Sequence, residues 1–212
     1  MTQPDPRPRR PAHYADLTEL IDAAGGSTPQ SRAEVASATA AMLVQAGREL
    51  GADDRFIDLA DRVGLETLAE LWREAEPVSL PGALWALYLL RQWCRSSADE
   101  VVRLWRAGEP VAAADAVVAG VAPLADVDSL AQVADDVLTG AYRGDFAVAL
   151  ERAAALFRVL AAGRRELAGS RAGLGPEPSA PDPAAVTLAE RNERAAADLA
   201  ASARRWRAGT LH

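Results

Sequence analysis

Asp53, Asp54, Asp58 and Asp61 are the residues whose type and spacing come closest to chemistry. On one helix Asp54, Asp58 and Asp61 share a face, and magnesium accepts such carboxylates together with substrate phosphates. A helical isoprenoid-type site needs a second acidic helix opposite, and none with matching spacing is present. A pyrophosphatase-type site needs paired E-x-x-E elements, and Glu190 with Glu193 is the sole such spacing. The simpler reading is an N-cap on Asp53 followed by a solvated acidic face. Asp54, Asp58 and Asp61 are therefore weak metal candidates, and no catalytic residue and no cofactor is expected.

Absent residue types exclude more. All 23 basic residues are arginine, which removes Schiff-base lysines and phosphate-loop lysines together. His13 and His212 are the only histidines and sit in terminal segments, so histidine-based nucleophile pairs and zinc sites lack their parts. Cys94 is the lone cysteine, in an apolar helical stretch where an inert buried thiol is expected. A helix-turn-helix echo over 53–76 places Ala60 and Gly64 at the right spacing. It then puts Glu66, Glu70, Glu74 and Glu76 where a recognition helix would meet phosphates. With a net charge of −7 as well, nucleic acid is not an expected partner.

Trp72, Trp85, Trp93 and Trp105, with Tyr88, crowd into one stretch. Large aromatics build cores, but a tryptophan also settles where its N–H finds a partner, at pocket walls and interfaces. Trp85, Tyr88, Arg91, Trp93, Trp105 and Trp206 are accordingly the candidate pocket or interaction residues. Trp93 or Trp105 would line a groove, or a pocket would form near Trp85, Tyr88 and Trp93.

The elements that must position these residues are helical throughout. No segment alternates with period two, so no β-sheet is expected. The spacing predicts helices from Tyr14, from Ser31 with Glu34 as a capping box, after Asp53, and over Leu65–Trp72. Further helices follow from Ser79–Pro81, from Ser97 with Glu100, from Pro110, from Ser129 to Tyr142, and from Asp145 to Ala168. The last two, joined by Arg143-Gly144, form an antiparallel pair. The stretch 81–95 is apolar on every side and is expected at the centre of the bundle. The fold class is an all-α, orthogonal and antiparallel multi-helix bundle around that helix.

The expected organisation is a Pro/Arg-rich arm over 1–13, a helical domain over 14–168, a Gly/Pro linker over 169–183 and a C-terminal helix and tail over 184–212. That last helix carries a thin apolar face of Leu188, Leu199 and Trp206 and ends in three arginines. It would dock on the acidic body or on a partner's groove, or remain a loose tail. The first fifteen residues hold no apolar signal-peptide core, and the longest uncharged run, between Glu76 and Arg91, is too short to span a bilayer. A cytoplasmic protein without membrane association is expected.

The run from Ser79 to Trp93, with Asp135 to Phe146 and the helix after it, resembles a family of uncharacterised all-helical actinobacterial proteins. Some of its members carry an RNA polymerase β-subunit label. The likeness covers roughly 70–167 and implies a lineage-restricted helical module that binds protein, without catalytic residues. Within it Arg91, Tyr142, Arg143, Asp145 and Arg152 are the polar positions to watch. The function expected is a non-enzymatic interaction module, with a protein partner or a homodimer. A small-molecule-binding helical protein is the alternative, and a magnesium-dependent carboxylate enzyme comes third.

Overall fold

A computed structural model describes residues 28–49, 71–121, 126–172, 180 and 182–212. Among them the fold is all-α, with seven helices and no strand. They run α1 (Pro29–Glu49), α2 (Leu80–Ser96), α3 (Ala98–Gly108), α4 (Ala113–Ala119), α5 (Val127–Arg143), α6 (Phe146–Ala172) and α7 (Pro183–Arg207). None is long and apolar enough to cross a membrane. The arm over 1–13, the helix from Tyr14 and the acidic helix after Asp53, with most of the helix-turn-helix echo, lie outside the described residues.

Local chemistry sets the helix starts. Ser79 caps α2, its hydroxyl accepting from the Gly82 N–H at 3.2 Å, and Pro81 fits the first turn. Asp145 does the same for α6, accepting from the Ala147 N–H at 2.9 Å. Other caps differ from expectation. For α1 the capping side chain is Thr28, which accepts from the Ser31 N–H at 3.3 Å, because Pro29 supplies the pre-set first turn ahead of Ser31. Asp126 rather than Ser129 caps α5, accepting from the Ser129 N–H at 2.8 Å. This contact, with the Ser129 hydroxyl, holds the Asp126 carboxyl below the usual range. Ser97 makes no side-chain cap, since it also closes α2 and its φ of −132° and ψ of 41° are not extended. The helix expected from Pro110 starts only at Ala113.

The centre is shared by α2, which covers the stretch 81–95, and by α6. Helices α2, α3, α4, α5 and α7 all pack on α6. Its Phe146, Ala147, Leu150, Ala153, Ala154, Ala155, Val159, Leu160 and Ala161 are fully or almost fully inaccessible. Small side chains on several faces let neighbours approach from several directions. Helix α2 is apolar all round yet leaves Leu89 44% exposed and Trp85 and Trp93 half-buried. Its hydrophobicity exceeds what its neighbours cover.

At the α3–α6 crossing the two backbones touch. A Cβ on Gly163 would lie 1.9 Å from the Leu104 carbonyl oxygen, and one on Gly108 would lie 2.0 Å from that of Val159. Only glycine fits at both positions. Helix α6 also runs through Gly169 to Ala172, four residues past the expected end at Ala168.

The C-terminal helix belongs to the body. Helix α7 lies antiparallel along α6, buried through Ala189, Ala196, Leu199, Ser202 and Ala203. Ala189, Ala196 and Ala203 recur every seven residues, with Asn192, Leu199 and Trp206 three further on. This is the seam spacing of a coiled coil with alanine at one of its two positions. Leu188, assigned to that face from its hydrophobicity, is instead 39% exposed.

Candidate functional site

The aromatic candidates turn out to be joints of the core. Trp72 is inaccessible, its indole N–H reaching the Thr39 hydroxyl at 3.4 Å and its ring 6.0 Å from Tyr88. The Thr39 hydroxyl in turn donates a hydrogen bond to the Val35 carbonyl at 2.8 Å, so α1 is tied to α2 through Trp72 and Tyr88. Tyr88 is 1% exposed and Trp105 is fully buried with its indole N–H unpartnered. Neither presents a face to a ligand, so the groove-lining role expected of Trp105 and the pocket expected beside Tyr88 are not what their placement provides. Trp93 is half-buried beneath Arg164, whose guanidinium carbon sits 5.1 Å from the ring centre and which pairs with Glu100 at 3.1 Å. That stack welds α2, α3 and α6 together. Trp206 meets Phe146 at 4.7 Å between ring centroids, tilted by 59°.

Arg91 is also structural. Its side chain is 3% exposed, and its Nε donates to Asp135 Oδ1 at 2.7 Å. Arg95, half-exposed, donates to the other oxygen at 2.8 Å. One carboxylate on α5 thus bridges two guanidiniums on α2, one of them out of water. Of the other watched positions, Tyr142 and Arg143 lie in the last turn of α5, Asp145 is the α6 cap, and Arg152 donates through Nε to the Ala119 carbonyl at 3.2 Å. Cys94 is buried, and burial, with Asp135 nearby, pushes its thiol up to about 12. It is therefore a poor nucleophile at neutral pH.

No group of three or more metal-ligating side chains occurs among the described residues. Asp54, Asp58 and Asp61 lie outside them. Glu193 of the E-x-x-E pair is engaged with Arg165 on α6, which lowers its proton affinity. An open groove of about 280 Å³ runs between α1 and residues 71–81, lined by Pro29, Arg32, Ala36, Leu71, Glu74 and Pro81 among others.

The feature that the residue-type search passed over is the α4 corner. Val117 is 80% exposed, Val111 58% and Val118 50%. Asp115 is the only charged residue between Glu109 and Asp126, and its carboxylate accepts from Arg158 Nε at 2.7 Å. The corner is rigidly mounted. Ala116 and Ala119 are buried, Arg158 and Arg152 bracket the helix from α6, and Gly120 closes it at a φ of 73°. A run with one charged residue, Asp115, between Glu109 and Asp126 in a chain that is a quarter charged was the available signal. Single exposed apolar residues are ordinary, whereas three within eight residues are a candidate contact surface.

Comparison with family models, with curated proteins and with solved structures gives no match.

Proposed function

We propose that this chain is a non-catalytic helical module that binds a partner protein through the α4 corner. The observation that carries the reading is the exposure of Val117 and Val118 on a helix held from beneath by α6, with Val111 exposed just ahead of it. Pre-organisation keeps the entropic cost of binding low. The occupant that fits is an apolar-faced helix of a partner protein, because the corner offers hydrophobic surface and almost no charge.

Covering the three valines contributes about 3 kcal/mol, taking their exposed fractions and roughly 1.5 kcal/mol per fully buried side chain. A micromolar complex needs roughly 8 kcal/mol. The valines are therefore an anchor, and a partner must reach beyond them over neighbouring surface. The small-molecule reading draws support from the groove beside α1, but that groove is open and falls below the roughly 300 Å³ at which ligand pockets begin.

The test uses two full-length baits, wild type and V117D/V118D, with unfolding midpoints measured first. Both positions are exposed, so the substitutions should change stability by no more than about 0.5 kcal/mol. A protein, or a second copy of the chain, retained by wild type and lost from the variant supports the reading. Identical retention by both baits overturns it.

A further inference from the structure

The contact between α6 and α7 is built differently at its two ends. Near the C-terminus, Trp206 packs on Phe146 and Leu211 is buried. The Leu80 N–H donates to the His212 carbonyl at 2.9 Å, and Arg205 donates to the Val78 carbonyl at 3.1 Å, so the chain end also grips the start of α2. Arg207 closes a two-pronged contact with Glu151 at 2.5 and 2.8 Å. Near the N-terminus of α7 the seam offers Ala189 and then Asn192, whose amide nitrogen is buried without a partner; the Ser202 hydroxyl in the other half is likewise unpartnered, but Leu199, Trp206 and Leu211 hold that half closed. The ion pair at the N-terminal end, Arg165–Glu193, is about half exposed on both sides, as Arg207–Glu151 is, but among the described residues it has no aromatic packing or backbone anchor beside it.

We propose that α7 is a strap that opens from its N-terminal end. Residues 183–198 leave α6 together while 199–212 stay anchored on α2 and α6. An orphaned donor in the seam regains water on opening, which lowers the cost of that step. Alanine buries a single methyl group, so little apolar contact opposes it. The half-exposed ion pair is weakened by solvent and by salt. Opening bares the last turns of α6, giving the chain a conditional helix face that is independent of the α4 corner. Cooperative units of this kind open well below the global unfolding free energy.

Hydrogen exchange followed by mass spectrometry on the full chain tests this. Amides over 187–198 should exchange at least tenfold faster than those over 200–207. R165Q should accelerate 187–198 further and leave 200–207 unchanged, and about 0.5 M sodium chloride should accelerate 187–198 more than 200–207, whose anchors are mostly apolar contacts and backbone hydrogen bonds. Asn192→Leu, which removes the orphaned amide, should slow 187–198 at least fivefold. Uniform protection along α7 would overturn the proposal. So would fast exchange that Asn192→Leu does not slow, since simple end fraying would be indifferent to a seam residue.

Discussion

Replacing Gly163 with alanine should destabilise the fold by about 3 kcal/mol, whereas the same change six residues on, at Gly169, should stabilise it. At Gly163 the new methyl would sit 1.9 Å from the Leu104 carbonyl oxygen and 2.7 Å from its carbon, against 3.4 Å for ordinary contact. Both neighbours are backbone, so no side chain can rotate away. Helices α3 and α6 would have to part by about 1.5 Å, enough to forfeit half or more of the attraction between the atoms facing each other there. Overpacking of this kind costs 1–3 kcal/mol or more, and the loosened packing adds to it. The gain of about 1 kcal/mol from alanine's better helix propensity offsets only part. A Cβ on Gly169 meets nothing within 4 Å, so there the propensity gain stands alone at about 0.5–1 kcal/mol. Urea unfolding followed by far-ultraviolet circular dichroism gives both values from the midpoint and slope. G163A and G169A falling within 1 kcal/mol of each other would refute the backbone-to-backbone crossing.

Other outcomes follow from the same contacts. D135N should cost about 3 kcal/mol in urea unfolding, because it removes the carboxylate charge facing the buried Arg91 guanidinium; the double change R91M/D135L should recover much of that loss. Cys94 should resist a thiol reagent in the native state at pH 8 and react at the rate of opening, since burial suppresses its thiolate. The Glu151 and Glu193 carboxyls are held below their ordinary 4.5 by Arg207 and Arg165, so their folded pKa values are depressed. The stability they contribute is present above pH 4.5 and is lost as pH falls through the depressed values. Acid titration of α7 exchange should show protection over 187–198 fading below that point, less steeply at high salt.

Much of the fold was legible because large side chains recur at helical spacing. Leu130, Val133, Val137 and Leu138 on α5, with Phe146, Leu150 and Leu160 on α6, mark buried stripes that the structure fills. The Ser79 and Asp145 caps were equally legible, each being a short polar side chain placed ahead of an apolar run. The α7 seam was not, because Ala189, Ala196 and Ala203 carry little hydrophobic weight and the eye goes to Leu188, which faces solvent. The share of α6 in the centre, beside α2, was hidden for the same reason: its small alanines admit neighbours without advertising burial. Among the site residues, type alone misled. Tryptophan and arginine are enriched at interfaces, but Trp105 and Arg91 are here spent on the interior. The α4 corner was missed because valine and alanine in a short helix look like core. Only its position outside the packed layers exposes them.

A photo-crosslinking phenylalanine derivative placed at position 117, with a second at the exposed position 190 as control, tests the interaction reading most directly. In cells, a single discrete adduct should form from position 117 and not from position 190. No adduct from 117, or the same adducts from both positions, would contradict a partner surface on α4.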